Sequence, residues 1–417
     1  MTIDLYALTS QLHDQQALDT ASNEFLAAIR NELTTKDKTY DLAFKGSDFS
    51  SFGTGDLDVI YIRTGGTEGL FKEVFGRVSR TPDGRTRPVR LLTSGKSNSL
   101  AASMEILSFL RQHGCPGEII HGSNRYIAER LALLAEVETA RKKLAGMRLG
   151  VIGQPSDWLI SSRADHEEVR RKSGMEIVDI PISELIAESE KDEFPRNALV
   201  EALLADAGTL PEKVRAYWDG ALRIYGGLTR IVEKYRLGGL TLRCFDLLDA
   251  LGNTGCLALA ILNAEGIPSS CEGDVPALLT MAVAQALTGT SGFQANPSQI
   301  DPESGEVLFA HCTVPLDMLR SRTYDTHFES GIGVAIHGEL PEGDVTVFKL
   351  SGDLSRSCMA EASLLRNQYK PDLCRTQVVL RTSGLADYFL TDPIGNHHII
   401  LSGRRKRLLE AFLASLD

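Results

Sequence analysis

The feature that most constrains this chain is a sustained alternation of short β-branched segments with amphipathic helical segments over its first 300 residues. Ile3–Ala7 reads as a strand and Ala17–Leu33 as an amphipathic helix. Asp58–Arg63 (DVIYIR) is a strand that runs into the turn Thr64–Gly66 and a helix from Thr67. Val89–Leu92 is a strand, Ser97–Gln112 a helix, Glu118–His121 a strand and Asn124–Leu144 a long helix. Short apolar strands separated by helices imply a parallel sheet covered on both faces. The right-handed crossover rule makes that layer doubly wound and Rossmann-like.

A second alternating unit starts at Met147, and the boundary is placed near residue 145, where the long helix ends in Lys142, Lys143 and Gly146. Arg148–Ile152 is a strand, Gly153–Ser162 a loop, Asp165–Lys172 a helix and Glu176–Ile180 a strand. Pro211–Tyr235 reads as one long helix with Gly226–Gly227 as a soft point. Leu240–Cys244, Thr254–Glu265, Ser269–Glu272 and Ala277–Leu287 continue as strand, helix, strand, helix. After about residue 300 the period changes. Val307–Val314, Gly331–His337, Val345–Leu350, Gln377–Arg381 and His397–Leu401 read as strands separated by turns, with a helix only at Lys406–Ser415. The expected chain is therefore α/β: two Rossmann-like doubly wound units, residues 1–145 and 146–300, and a C-terminal, mostly antiparallel β domain or partial barrel, residues 301–417.

A net charge of -11, with 55 acidic against 44 basic residues, argues against a general nucleic-acid binder, which needs a basic face. No run approaches a membrane span, and the N-terminal MTIDLYALTSQLHDQ carries no secretory pattern. The seven cysteines are scattered, odd in number and form no C-x-x-C pair. A cytoplasmic protein with free thiols and no structural zinc site is expected.

Two phosphate-loop look-alikes carry little. Ser94-Gly95-Lys96-Ser97 lacks the glycine five positions before Gly95, where Arg90 stands, so a strand-to-helix turn with Ser97 as N-cap is the simpler account. Thr64-Gly65-Gly66-Thr67 also opens a helix, and a tight turn capped by Thr67 accounts for it. No G-x-G-x-x-G follows a strand and no G-x-S-x-G is present, which disfavours nicotinamide, flavin and α/β-hydrolase chemistry.

The segments that carry chemistry lie further on. Arg243-Cys244-Phe245-Asp246 ends one parallel strand and Cys271-Glu272-Gly273-Asp274-Val275 ends the next, ahead of a helix begun by Pro276. One β-α-β step separates them, so both open on the crevice at the carboxyl ends of the strands. Carboxylates gathered there repel one another unless a cation neutralises them. Gly395-Asn396-His397-His398 opens the last strand, and Ala310-His311-Cys312 is a fourth member. On a strand His397 and His398 point to opposite faces, so one of them faces the site. Carboxylates with one or two imidazoles suit Mn²⁺, Mg²⁺, Co²⁺ or Fe²⁺. Taken singly, Asp274 is also a natural helix cap and Asp246 a surface residue.

From about residue 145 to the end, the ordered set Phe245–Asp246, Cys271–Val275 with Leu279–Met281, His311–Cys312 and Gly395–His398 resembles the L-fucose isomerase / L-arabinose isomerase superfamily. The resemblance implies a divalent metal, usually Mn²⁺, held by Asp246, by Glu272 or Asp274, and by His397, with His311 added as in arabinose-type members. Asp246 departs from the glutamate of those members. The implied reaction is aldose–ketose isomerisation of a pentose or 6-deoxyhexose through an enediol, with Glu272 and Asp246 moving the proton. Trp158, Arg163 and Asp165, on or just after the loop behind Arg148–Ile152, and His398 are the substrate-contact candidates. The resemblance also implies a homo-oligomer, a trimer or hexamer. Two other classes fit the same outline: a sugar-binding sensor without chemistry, and a metal-dependent aldolase or lyase using the same enediol.

Overall fold

A computed structural model describes residues 1–33, 38–81, 84 and 86–416. It divides into two compact units, Met1–Lys142 with the residues from Ala411 onward, and Lys143–Glu410. Residues 146–300 and 301–410 thus share one unit.

The first unit runs β1 (Thr2–Leu8), α1 (Gln15–Leu33), β2 (Asp41–Gly46), β3 (Leu57–Ile62), α2 (Glu68–Val78), β4 (Val89–Thr93), α3 (Ser99–Gln112), β5 (Gly117–Ile120) and α4 (Asn124–Leu144). The sheet is parallel throughout, in the order β2-β1-β3-β4-β5. Strand alternation divides the core in two. Ile3, Leu5, Val59 and Tyr61 pack with Leu26 and Ile29 of α1 and Leu131 of α4. Tyr6, Leu8, Ile60 and Ile62 pack with Phe71 of α2 and Ile106 and Leu110 of α3 on the other face. Ser97 does not cap α3, because both Ser97 and Asn98 are left-handed (φ 52° and 57°) and the helix begins at Ser99. Thr67 does occupy the N-cap of α2, but its hydroxyl donates back to Thr64 O at 3.0 Å.

The second unit opens with β6 (Arg148–Ile152), α5 (His166–Ser173), β7 (Glu176–Ile180), α6 (Ile182–Ser189), α7 (Ala198–Asp206), α8 (Glu212–Arg215), α9 (Trp218–Tyr235), β8 (Leu237–Leu242), α10 (Asp246–Leu251), α11 (Cys256–Ala264), β9 (Ser269–Cys271) and α12 (Val275–Thr288). Its parallel sheet has the order β7-β6-β8-β9. The long helix expected over Pro211–Tyr235 is two helices, interrupted at Ala216–Tyr217. Gly226 and Gly227 are not a soft point. Both are buried within α9, where a Cβ on Gly226 would collide with the Glu193 carbonyl and one on Gly227 would lie 2.8 Å from Ser189 Oγ. They are glycine because the segment around Glu193 approaches that closely.

The remainder is β10 (Phe293–Asp301), β11 (Glu306–His311), β12 (Ser321–Asp325), β13 (Ala335–Glu339), β14 (Gly343–Leu350), β15 (Ser357–Asn367), β16 (Thr376–Arg381), α13 (Leu385–Thr391), β17 (His398–Ser402) and α14 (Lys406–Leu413). Six of these strands close into an antiparallel barrel, β10-β11-β16-β15-β14-β17. Helix α12 is apolar around most of its circumference and buried along its length, as a helix covered on all sides must be. One continuous core runs from Ile152, Leu240 and Leu242 of the parallel sheet to Phe293, Val307, Val347 and Ile400 of the barrel. Among the described residues no helix is long and apolar enough to cross a membrane.

Candidate metal centre

The site forms where β9 ends. Cys271 closes the strand, Glu272 (φ 65°) and Gly273 (φ 70°) turn through the left-handed region, and Asp274 caps α12 by accepting from Ala277 N at 2.8 Å. Pro276 suits the first turn, where its missing N–H costs nothing. The turn is pinned by two hydrogen bonds, Gly273 N to Leu242 O (3.0 Å) and Ser156 N to Glu272 O (2.9 Å). A Cβ on Gly273 would come 2.5 Å from Gln154 O, so glycine is required there on two counts. The backbone thereby lifts the Glu272 side chain off the strand end.

The barrel supplies two imidazoles. Strand β10 pairs with β11 on one edge and β17 on the other, in registers that include Asn296↔Ala310 and Ala295↔His398. The end of β11 and the start of β17 therefore flank β10 about 10 Å apart. His311, last in β11, and His397, just ahead of β17, lean together until their rings stand 5.3 Å apart at 76°.

Glu272, His311 and His397 place one ligand atom each within 4.8 Å of one another. Glu272 Oε1 lies 3.5 Å from His397 Nε2 and 3.9 Å from His311 Nε2. Its Oε2 accepts from the Trp158 indole at 2.7 Å. His397 Nδ1 is 2.8 Å from Asp274 Oδ2. Because a carboxylate only accepts, Nδ1 carries the hydrogen in the neutral ring and Nε2 presents its lone pair to Glu272. His397 Nε2 is fully buried and has no hydrogen-bond partner among the described residues. His311 Nδ1 is tied to Thr313 Oγ1 at 2.9 Å, which leaves its Nε2 turned the same way.

Electrostatics follow from this geometry. Burial opposes the charge of Glu272, yet the two histidines hold its carboxyl well below the usual range. Burial also opposes ionisation of Asp274, and Lys349 and His397 outweigh it, so that its pKa is lowered. Burial pushes His311 down. For His397 burial acts downward too, but Asp274 and Glu272 carry it up to about 9. The two carboxylates thus favour a proton on His397, and a cation held by Glu272, His311 and His397 would supply the same positive charge. A carboxylate, two imidazole Nε2 atoms and an Asp behind one ring fit a divalent ion.

The structure does not gather every expected site residue. Asp246 starts α10, and its carboxylate is taken by Arg243 Nε at 2.9 Å. It opens on a separate polar recess with Asp157 and Asp179. Asp274 stands one step behind the group, engaged by His397 and the helix N-terminus. His398 faces the other way, with Nε2 2.9 Å from Tyr388 Oη and Nδ1 near Asn396 O. Asp165 caps α5 through Glu168 N, and it lines a different hollow together with Arg163 and Asp353. Trp158 is beside the group. Its ring meets Phe245 edge-on at 4.9 Å, and Phe245 meets His327 at 5.5 Å.

Three neighbours were not singled out from sequence. Thr313 orients His311. Lys349, 1% exposed near the end of β14, stands 3.6 Å from Asp274 Oδ2. Glu329 sits on the loop that carries His327, where burial and then the charge of Glu272 raise its carboxyl. A lone lysine in the apolar run Val345–Leu350 was the available signal, since lysine is buried almost only when paired.

No protein-family profile matches the chain. It is 25% identical over 279 residues to a protein of Priestia megaterium named sulfoquinovose isomerase, covering 61% of this chain and 59% of that protein. A protein of the same name from Clostridium sp. is 27% identical over 218 residues, covering 50% of this chain and 48% of its own length. One from Alkalicoccus urumqiensis is 24% identical over 265 residues, with 61% and 59% covered. By its resemblances the chain is thus similar to sugar isomerases, and it spans about three-fifths of the length of the curated relatives it matches.

Proposed function

We propose that this chain is a divalent-metal-dependent aldose–ketose isomerase, with Mn²⁺ the first metal to test, held by Glu272, His311 and His397. The observation that supports the reading is the convergence of one ligand atom each from Glu272, His311 and His397 within 4.8 Å, with His397 Nε2 buried and without a hydrogen-bond partner among the described residues. The name of the relatives makes sulfoquinovose the first substrate to test, beside the expected pentoses and 6-deoxyhexoses. When bound, the cation supplies Lewis acidity to a carbonyl and its neighbouring hydroxyl and stabilises enediol charge.

The chain's own groups do the rest. Asp274 fixes the His397 tautomer, and Thr313 orients His311. Trp158 holds one carboxylate oxygen of Glu272 so that the other faces the imidazoles. Isomerisation moves one proton between adjacent carbons and another between their oxygens, which needs a group of balanced proton affinity. The affinity of Glu272 is held low, so another group is needed to carry the proton, and Glu329, on the loop that carries His327 and raised by burial and by the charge of Glu272, is the first to test.

The test is conversion of sulfoquinovose to its ketose, followed by NMR, in protein stripped by chelator and resupplied with Mn²⁺. Loss and recovery of turnover support the reading. Turnover indifferent to chelator overturns the metal, binding without turnover makes the protein a sensor, and carbon–carbon cleavage makes it an aldolase or lyase.

A further inference from the structure

Lys349 is the only lysine among the described residues to be essentially enclosed, at 1% exposure, and its ammonium has no hydrogen-bond partner there. An isolated ammonium in a protein interior is costly unless an opposite charge stands beside it. Among the described residues its one ion pair is with Asp274, whose Oδ2 lies 3.6 Å away and which is itself fully buried. That same Oδ2 binds His397 Nδ1 at 2.8 Å. The other oxygen, Oδ1, accepts from Ala277 N at the start of α12. Asp274 is thus held at three points: a backbone amide on one oxygen, and an imidazole and an ammonium on the other. Next to Lys349, the Leu350 amide donates to Thr280 Oγ1 at 3.0 Å and ties the end of β14 to α12.

We propose that Lys349 is a positioning residue for the metal centre: it holds Asp274 so that His397 presents Nε2 to the cation. The inference rests on the metal reading above and adds the residue that steadies the carboxylate behind His397. Without Lys349, Asp274 keeps only His397 and one backbone amide to fix its carboxylate, and the hold on the His397 ring loosens. Residues one step behind a ligand typically change metal affinity about 10- to 100-fold when lost.

The experiment measures Mn²⁺ dissociation constants on the full chain, by the EPR signal of free Mn²⁺, for wild type, Lys349→Met, Asp274→Asn and the double variant, with circular dichroism as the check on folding. Wild type should bind Mn²⁺, Asp274→Asn should bind it about 10- to 100-fold more weakly, and Lys349→Met, one step further from the ligand, at least about threefold more weakly. Adding Lys349→Met to Asp274→Asn should change the constant by less than about twofold, because the lysine acts through that carboxylate. An unchanged or smaller constant in Lys349→Met, or an equal loss in both backgrounds, overturns the proposal. Should Lys349→Met alone not fold, Asp274→Asn against the double variant decides: equal constants support the role and a further loss overturns it. Wild type that binds no Mn²⁺ sinks the metal reading itself, and this inference with it.

Discussion

Trp158 and Glu272 are joined by an indole N–H···Oε2 hydrogen bond of 2.7 Å across 114 residues of sequence. Half of the tryptophan surface remains exposed, 51%, so the hydrogen bond fixes the ring more than burial does. Trp158→Phe keeps an aromatic ring against Phe245 and removes the donor. A hydrogen bond to a charged group is worth about 1.5 kcal/mol, so kcat/KM should fall about tenfold. The melting temperature should stay put. Steady-state kinetics with thermal melts check both, and an unaltered kcat/KM would show the contact to be idle.

Glu272→Gln preserves the shape of the side chain and its hydrogen bond to Trp158, but discards the charge that faces both imidazoles. The fold should persist, Mn²⁺ binding should weaken sharply and turnover should drop by orders of magnitude. Near-wild-type turnover, measured by ketose formation, counts against the assigned centre.

Asp246 and Glu329 separate two sources for the second carboxylate. Arg243 holds Asp246 away from the imidazoles in a partly exposed ion pair, and such pairs contribute little. Asp246→Asn should therefore leave Mn²⁺ affinity within about threefold, since no direct ligand is lost. Glu329→Gln should retain Mn²⁺ and lose at least about 100-fold in kcat, the usual worth of a general acid or base. The opposite pattern in parallel titrations and rate measurements would exchange their roles.

His327 gives the fold an acid limit. Burial first, and His311 next, bring its pKa down to about 4, so the folded state keeps the ring neutral while the unfolded chain protonates near 6.5. Between those values the unfolded state binds more protons, and stability is lost as pH falls from about 6.5 toward 4. The loss should reach about 2 kcal/mol by pH 4.5. His327→Gln should flatten that part of the stability curve in urea titrations at pH 7 and 4.5. An equal pH dependence in both proteins would rule His327 out as the source.

Period and punctuation made much of the architecture readable. The parallel sheets were legible because their strands are apolar on both faces, and the opposition of His397 and His398 was expected from strand alternation, although β17 begins only at His398. Strand β15 escaped because Ser357–Asn367 mixes alanine and polar residues, and β2 because only Leu42 of its six residues is buried. The site was legible to the level of segments. Asp274 is the cap of α12 that its position suggested, but where the resemblance made it a candidate metal ligand it stands behind His397, because its two oxygens serve different donors. What spacing could not tell was direction. Asp246 follows a strand end as Glu272 does, but Arg243 three residues earlier reclaims it. Lys349 and Thr313 act across sequence separations that only tertiary contact reveals.

Glu272 occupies a backbone region that most residues avoid and glycine enters freely, at a cost of about 1 kcal/mol. The chain thus keeps a glutamate at a corner whose conformation favours a residue with no side chain at all. Laboratory evolution that rewards heat resistance alone should find Glu272→Gly attractive, since it relieves the corner and deletes an enclosed carboxylate. The survivors would be sturdier proteins with an empty workbench, so a screen on this scaffold has to score turnover alongside tolerance to heat.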